Sequence, residues 1–309
     1  MSAGNKFPFD KKIVFILALL PCLLWGSAFP AVKTGYALLQ IGAEDTAGQL
    51  LFAGYRFTGA GLLLLLFCPL SGRNILDLHG TDFFRLALLG LIMTTLQYIF
   101  FYIGLARVSG VAGSILTGTS TFFAVLLAHL VFRNEHLTRR VALGCLAGFA
   151  GVISVNLGRG PLELGFSLKG EGFMVLAALC GAAGGVYGKI VSRVVDSVVM
   201  TGWQLVFGGS VLVILGWLGG GAVSGFSPSS GMLMLYLSLL SSAAFALNAS
   251  LLKHHPVSLI TVFQFTVPIF GAALSALFLG DRLWEWKNLM ALVLVCLGIY
   301  LVSTRKPEG

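Results

Sequence analysis

Four side chains that could contact a solute recur at helical spacing near the start of the chain. In the stretch LLWGSAFPAVK, Trp25, Phe29 and Lys33 are four residues apart, and Tyr36 follows three residues later. Residues three and four apart share one face of an α-helix, so this face would present aromatic rings and one cation together. We interpret it as part of a binding site for a small organic solute. The alternative is a packed helix in which Lys33 extends to the lipid headgroups.

The same stretch predicts that its helix bends. Pro30 has no backbone N–H, so a carbonyl one turn earlier loses its intrahelical partner. Inside a bilayer that carbonyl needs another partner, which a neighbouring helix can supply. Gly26 would let that neighbour approach closely. The sequence therefore predicts a hinge beside the aromatic face, with simple tight packing as the alternative.

Five further apolar runs carry polar or aromatic side chains on one helical face. Ser and Thr in membrane helices more often join helices to one another, at about 0.6 kcal/mol each. Bulky amides and tyrosines cost more when they face lipid, so they are the stronger candidates for a cavity. The predicted substrate-binding residues are Trp25, Phe29, Pro30, Lys33, Gln97, Tyr98, Phe101, Thr121, Tyr187, Asn248, Gln264 and Pro268.

The acidic residues are absent from the middle of every apolar run. All twelve Asp and Glu residues lie in loops or at the ends of runs. A proton-coupled exporter of organic cations usually needs a buried acid, and an intramembrane hydrolase needs a cluster of acids or nucleophiles. The census disfavours both mechanisms. It predicts that the chain is not an enzyme and that its solute is neutral, zwitterionic or weakly anionic.

The elements that must position these residues are membrane helices. Of the 309 residues, 57% are hydrophobic and 10% are charged, and the mean hydropathy is +0.93. Soluble domains carry about 25% charged residues. A helix needs about 20 apolar residues to cross the hydrocarbon, and about ten such runs occur. They are 13–39, 47–70, 83–106, 111–132, 141–157, 170–191, 198–218, 231–252, 258–279 and 289–302.

The positive charges predict the orientation of these runs. With ten spans, thirteen Lys and Arg residues lie on the side that carries both termini, and six lie on the other side. Cytoplasmic loops are enriched in Lys and Arg, so we expect both termini in the cytoplasm. The predicted location is the cell (inner) membrane.

The remaining composition indicates no cofactor and no metal. Five cysteines are scattered through apolar runs without a C-x-x-C pair, which is typical of reduced packing residues. The net charge of +8 comes from short gaps between runs, so we expect no nucleic-acid partner. The expected partners are a small-molecule metabolite and the lipid bilayer. A monomer suffices for this function, although a homo-oligomer is compatible with it.

Internal similarity suggests that the chain is a duplication. The segment FFAVLLAHLVFRNEHL ends at Leu137, and PIFGAALSALFLGDRL ends 146 residues later at Leu283. Each is an apolar run followed by an acid and, two residues on, a leucine. GYRF at Gly54 likewise resembles GWQL at Gly202, and CGAAGGVYGK resembles a diverged copy of WGSAFPAVK.

These matches predict two halves, residues 1–160 and 161–309, of five spans each. Because five is odd, the second half would cross the membrane in the opposite sense. Secondary transporters are often built from such inverted repeats, with the solute site near the midplane between them. We therefore predict an all-α membrane protein with about ten transmembrane helices, arranged as two inverted five-helix repeats around a central cavity.

The motifs resemble those of the drug/metabolite transporter superfamily, in its EamA branch. LLWGSAFPAVK is similar to the W-G-x-x-F/N-P signature of the first span, and NEHL and GDRL are similar to the G-E-x-L ending. The sequence departs from the pattern in the sixth span, which lacks both the tryptophan and the proline. The resemblance implies a ten-helix basket in which spans 1, 3, 4, 6, 8 and 9 line the cavity. It also implies transport of small metabolites, often amino acids and often outward.

Arg56, in the middle of the second run, has two interpretations. A central arginine costs about 2.5–3.5 kcal/mol on insertion scales, and intramembrane charges are functional hypotheses by default. The resemblance implies an arginine at this place whatever the solute. That favours a structural role near the outer interface, with bonds to backbone carbonyls or to the Glu44–Asp45 loop.

The leading hypothesis is a secondary transporter that moves small organic metabolites such as amino acids by alternating access; the resemblance alone implies that it is an exporter. One alternative is a sugar or phosphorylated-metabolite carrier of the same superfamily. Phosphate binding usually needs two or more converging Lys or Arg side chains, which disfavours the phosphorylated case. Another alternative is a membrane scaffold that transports nothing.

Overall fold

The computed structural model describes residues 11–132, 138–155, 166–254 and 263–303, and within these ranges the chain forms helices and turns without strands. Two π-helical segments, Leu91–Leu96 and Leu168–Gly172, and two short 3-10 turns, Pro69–Ser71 and Phe263–Phe265, adjoin the α-helices. The α-helices are α1 Lys11–Leu38, α2 Thr46–Phe67, α3 Gly80–Gly90, α4 Gln97–Leu105, α5 Gly110–Thr117, α6 Ser120–Val131, α7 Arg139–Val155, α8 Phe173–Val191, α9 Ser197–Leu218, α10 Pro228–His254, α11 Thr266–Leu279 and α12 Trp286–Ser303.

Eight helical segments in the described ranges are long and apolar enough to cross a membrane. They are Phe15–Leu38, Thr46–Ser71, Gly80–Leu105, Gly110–Val131, Leu168–Val191, Ser197–Leu218, Pro228–Leu251 and Trp286–Ser303. Two of the ten predicted runs are shorter here: α7 has 17 residues, and Phe263–Leu279 is a shorter apolar helix. Residues 156–165 and 255–262, which adjoin these two helices, lie outside the described ranges. The chain is thus a multi-pass integral membrane protein.

Helices α2 and α9 form the closest interface, and glycines make it possible. A Cβ atom at Gly61 would lie 2.7 Å from the carbonyl oxygen of Gly202, and one at Gly54 would lie 3.0 Å from that of Gly209. The earlier glycine of α2 meets the later glycine of α9, so the two helices are antiparallel. Their glycines are seven residues apart, about two helical turns, which keeps them on one stripe.

Helices α7 and α12 repeat this arrangement. A Cβ atom at Gly144 would lie 2.9 Å from the carbonyl oxygen of Gly298, and one at Gly151 would lie 2.9 Å from that of Ala291. The register again runs in opposite directions, with seven residues between contacts on each helix. Small residues let membrane helices approach until their backbones touch, and dispersion and weak polar contacts then hold them together.

Helix α1 packs between α10 and α11, while α8 packs against α4 and α6. A Cβ atom at Gly26 would lie 2.9 Å from the backbone nitrogen of Gly271. The close neighbour that the sequence predicted for Gly26 is therefore α11. Helix α1 runs without a break through Pro21 and Pro30.

Two of the apolar segments are interrupted near their middle. Between α3 and α4 the chain forms the π-helix Leu91–Leu96, which Thr94 and Thr95 attach to α9. The Thr94 hydroxyl donates to Gln204 Oε1 at 2.6 Å, and the Thr95 hydroxyl donates to the carbonyl of Gly208 at 2.9 Å. Helix α5 ends at Thr117, and α6 begins at Ser120. Such interruptions often occur at functional positions in helices.

Candidate functional site

A group of aromatic rings lies where α1, α2 and α4 meet. Neighbouring centroids are 4.0 Å apart for Phe57–Tyr98, 5.7 Å for Phe29–Phe101 and 5.7 Å for Phe52–Tyr102. Most pairs are tilted or edge-to-face, the geometry that the ring quadrupoles favour. We refer to the following rings as the aromatic cluster: Phe29, Tyr36, Phe52, Phe57, Tyr98, Phe101 and Tyr102.

The predicted face of α1 is divided between two neighbours. Phe29 contacts α4 through Phe101; the Lys33 ammonium donates to the carbonyl of Leu105 at 3.1 Å, and the Tyr36 hydroxyl donates to that of Tyr102 at 2.7 Å. Trp25 instead lies 5.6 Å from Phe245 of α10, measured between ring centroids. Three of the four side chains therefore join the aromatic cluster or its edge, and Trp25 packs against α10 instead.

Arg56 lies beside this cluster and is only 3% exposed. Its Nε donates to Ser241 Oγ at 3.1 Å, and Nη1 donates to the Tyr102 hydroxyl at 3.2 Å. Its Cζ stands 4.7 Å from the centroid of the Phe57 ring, a cation–π contact. Among the residues that the structure describes, no carboxylate forms an ion pair with this guanidinium.

The expected partners of Arg56 were wrong. Glu44 instead pairs with Arg107 at 3.0 Å, and Asp45 caps α2 by accepting from the backbone N–H of Gly48. The reason is distance along the helix: Arg56 is near the middle of α2, about three turns from its N-terminus, beyond the reach of that loop.

Helices α5 and α11 meet around Pro268. This proline is buried, and its carbonyl accepts a long hydrogen bond of 3.4 Å from the Ser114 hydroxyl. A Cβ atom at Gly118 would lie 3.2 Å from Pro268 Cγ. Thr121 follows the break between α5 and α6 and is half-buried.

Gln97 begins α4 directly after the π-helix and packs over Gly181 of α8. A Cβ atom at Gly181 would lie 2.9 Å from the Gln97 side chain, so only glycine leaves the amide this position. Tyr187, two turns later on α8, packs against a different group of side chains that includes Leu64, Leu86 and Val191. The structure therefore does not bring Tyr187 to the aromatic cluster.

Asn248 and Gln264 are both half-buried. Asn248 lies three residues after Phe245 on α10, so it shares the face that meets Trp25. Gln264 is in the 3-10 turn that precedes α11. The NEHL ending, residues 134–137, lies outside the described residues.

Tyr102, Ser241 and Phe57 surround Arg56 and were not predicted from the sequence. Tyr102 could have been found, because it lies one turn after Tyr98 and so shares its face. Ser241 carries no such signal, since it is one of several serines on α10 and its partner lies 185 residues away.

Ionic and capping contacts join distant segments at two separate places. Arg73 and Asp196 pair at 3.2 Å, between the chain after α2 and the start of α9. At the start of α5, the backbone N–H of Val111 donates to Asp281 Oδ2 at 3.2 Å. This second contact places the acid of the GDRL ending at the start of a helix 170 residues earlier in the chain.

Comparison with known proteins identifies the family. The sequence profile of the EamA-like transporter family matches residues 12–157 and again residues 168–304. A chloroplastic WAT1-related protein of Arabidopsis thaliana is 29% identical over 305 residues, which cover 94% of this chain and 68% of that protein. The uncharacterized inner membrane transporter YedA of Escherichia coli K12 is 28% identical over 301 residues, covering 92% of this chain and 90% of YedA.

A solved crystal structure has the same fold. It superposes with a TM-score of 0.66 and covers 94% of this chain and 96% of its own, at 15% sequence identity. Matches across the whole chain, and relatives described as transporters, indicate a membrane transporter and not an enzyme. The chain belongs to the EamA-like transporter family.

Proposed function

We propose that this protein is a secondary transporter that exports small organic metabolites, amino acids among them, by alternating access. The observation that carries the proposal is that the main helix contacts recur between the two family matches. If each match holds five spans, α8 corresponds to α1, α9 to α2, α10 to α3–α4, α11 to α5–α6 and α12 to α7. Helix α1 packs on α10 and α11, and its counterpart α8 packs on α4 and α6.

The two closest helix pairs support an inverted repeat. Helices α2 and α9 are counterparts, as are α7 and α12, and both pairs are antiparallel neighbours. Counterparts that run in opposite directions are what an inverted repeat requires. We therefore propose ten membrane helices in two five-helix halves, residues 1–160 and 161–309, with both termini in the cytoplasm according to the Lys and Arg distribution.

The side chains around the aromatic cluster support the proposed class of solute. The buried Arg56 lies beside the aromatic rings, the half-buried Gln97 amide precedes Tyr98 on α4, and no carboxylate in the described structure forms an ion pair with Arg56. Rings offer apolar contact area, and amides and guanidinium offer hydrogen-bond donors. Such a set fits a neutral, zwitterionic or weakly anionic metabolite better than an organic cation.

In the proposed motion, the closely packed helix pairs stay fixed and the helices that contain interruptions move. The glycine-packed pairs α2–α9 and α7–α12 would stay together, while the helices beside the site change shape at Pro30, at the π-helix Leu91–Leu96 and at the break before Ser120. Discontinuous helices at the midplane are a common construction in transporters. The outward direction rests on the family resemblance alone.

A sugar or phosphorylated-metabolite carrier is the second candidate. Phosphate would need two or more converging cations. Near the cluster, Lys33 already donates to a carbonyl and Arg107 pairs with Glu44. The described structure therefore supports a phosphorylated solute less well. A single chain, a metabolite and the bilayer suffice for the proposed mechanism.

Counterflow in proteoliposomes tests the proposal. Vesicles with the purified protein are preloaded with an unlabelled amino acid, and uptake of the labelled one is measured at equal pH and with an imposed pH gradient. We expect transient accumulation of at least one class of amino acid, and faster flux from the cytoplasmic side in oriented vesicles. Accumulation of sugars only would favour the second candidate. No accumulation of any amino acid, sugar or phosphate ester would contradict the transport of metabolites.

A further inference from the structure

We propose that Arg56 binds the carboxylate of the transported solute, with the Tyr98 hydroxyl as a second donor, so that the protein carries monocarboxylates, including amino acids, and rejects the matching amines. This inference rests on the proposed function and specifies its solute. Its basis is that Arg56 has more N–H donors than hydrogen-bond acceptors around it.

The guanidinium has more donors than the protein provides acceptors. Arginine presents five N–H groups, and the described structure gives Arg56 two acceptors, Ser241 Oγ and the Tyr102 hydroxyl. Both acceptors are neutral. A buried charge without an opposite charge or a full set of hydrogen bonds is costly, so the site gains free energy when an anion completes it.

One of the donors without a partner, Arg56 Nη2, is not fully buried. The fully buried side-chain atoms that lack any partner in the described structure are Gln49 Oε1, Thr58 Oγ1, Ser275 Oγ and Ser303 Oγ. Arg56 Nη2 makes no hydrogen bond and is not one of these atoms, so part of its small exposed surface belongs to this nitrogen. Tyr98 is half-buried, and its ring lies 4.0 Å from that of Phe57, which in turn lies 4.7 Å from Arg56 Cζ.

Because Arg56 is the one cation directed at this place within the described residues, the site suits a ligand with a single carboxylate. Ser241 and Tyr102 accept from two of the five N–H groups of Arg56, and the remaining three suffice to donate to both oxygens of one carboxylate. A second cation, which a dicarboxylate or a phosphate would need, is not directed at this place within the described residues: Lys33 donates to Leu105, and Arg107 pairs with Glu44. The adjacent rings would contact the apolar body of the solute and favour flat or branched side chains.

Two paired probes test the inference in the full-length protein. They are phenylalanine with phenethylamine and leucine with isoamylamine, and each pair differs by one carboxylate. We expect wild-type counterflow with the acids and none with the amines. Arg56→Gln should raise KM for the acids at least tenfold, and Arg56→Lys should restore part of the loss, because a point charge replaces a two-pronged donor. Arg282→Gln is the matched control, since that side chain is 85% exposed and outside the site.

A second measurement does not depend on flux. Thermal unfolding in detergent is followed with rising concentrations of each probe, and the acids should stabilise the wild type and Arg282→Gln but not Arg56→Gln. If Arg56→Gln does not fold, Tyr98→Phe takes its place, and we expect the acids to stabilise it at three- to tenfold higher concentrations than the wild type.

Outcomes for the inference and for the proposed function are separate. Counterflow of the acids with equal KM in wild type and Arg56→Gln would overturn the role of Arg56 and leave transport standing. Equal transport of acids and amines would have the same meaning. If no probe is transported and no acid stabilises the wild type, both the inference and the amino-acid function are wrong. Stabilisation by acids that needs Arg56, without flux, would support the binding site and contradict transport.

Discussion

The glycine-packed pairs α2–α9 and α7–α12 differ from the helices beside the aromatic cluster in the continuity of their backbones. In α2–α9 and α7–α12, small residues repeat every seven positions (Ala291 and Gly298 on α12, glycines on the other three helices), and each α-helix is continuous. Beside the cluster, the chain contains Pro30 in α1, a π-helix between α3 and α4, and a break between α5 and α6. Backbone contact over several turns stabilises one arrangement. Interruptions lower the cost of a second arrangement, which alternating access requires.

We therefore expect substitutions in the glycine-packed pairs to affect folding, and substitutions beside the aromatic cluster to affect transport. In the pairs, added volume meets a backbone that cannot move aside. Beside the cluster, a lost side chain leaves the pairs intact.

Trp25→Ala should reduce solute flux about a hundredfold or more while membrane expression stays normal. Trp25 is the aromatic residue of α1 that faces α10, and a solute site that loses such a ring loses contact area and shape together. Counterflow and the amount of folded protein in the membrane give the two readings. Trp217→Ala, at a residue that is 75% exposed on α9, is the control and should transport normally. Normal flux in Trp25→Ala would remove this residue from the site.

Gly209→Ala should destabilise the protein by about 1–3 kcal/mol, the usual cost of overpacking, and reduce the yield of folded protein. Its Cβ atom would lie 2.5 Å from the backbone nitrogen of Thr58, so α2 and α9 would have to separate. The unfolding temperature in detergent measures the effect. Gly185→Ala on α8 is the matched control, because nothing lies within 4 Å of its added carbon. Equal unfolding temperatures for the two variants would contradict the conclusion that close packing of α2 against α9 requires glycine at position 209.

Pro30→Ala should raise the unfolding temperature and lower the flux about tenfold. Alanine restores a backbone N–H and favours the helix over a bend, so it stabilises one conformation at the expense of exchange between two. The same purified sample is used for thermal unfolding and for counterflow. If stability and flux both rise, Pro30 is not a hinge.

Asp281→Ala should cost about 1 kcal/mol of stability, the typical value of a helix cap. Asp281 accepts from the backbone of Val111 at the start of α5, while Ser109 caps the same helix locally by accepting from Ala112. Ser109→Ala is therefore the matched variant, with a similar loss of stability. Because Asp281, unlike Ser109, contacts a helix 170 residues away along the chain, its loss should also change the flux, whereas Ser109→Ala should not. Identical flux in both variants would show that Asp281 stabilises the start of α5 and has no separate effect on transport.

Much of the fold could be predicted because lipid imposes simple rules. The apolar runs located eight spans to within a few residues, since a bilayer admits few alternatives to a helix of that length. The motifs LLWGSAFPAVK and GDRL were sufficient to suggest the family. The duplicated pattern was visible, although its inverted arrangement remains part of the proposal.

The candidate site could be predicted only in part. Spacing placed Phe29 and Tyr36 on one face, and the structure brings both to α4. Spacing also grouped Trp25 with them, but two different helices divide that face. Tyr187 was chosen for its polar ring, and its neighbours are aliphatic residues at another part of the molecule.

The sequence by itself determined a membrane protein of apolar helices with an aromatic, proline-containing first span and no acid in the middle of an apolar run. These properties depend on composition and on contacts within one helix. Only the tertiary structure decided which glycine meets which backbone and what surrounds Arg56. Ser241 lies 185 residues from Arg56, and Asp281 lies 170 residues from Val111. Such contacts follow from how helices pack against one another, because in lipid nearly every helix is apolar and its pattern alone does not name its neighbour.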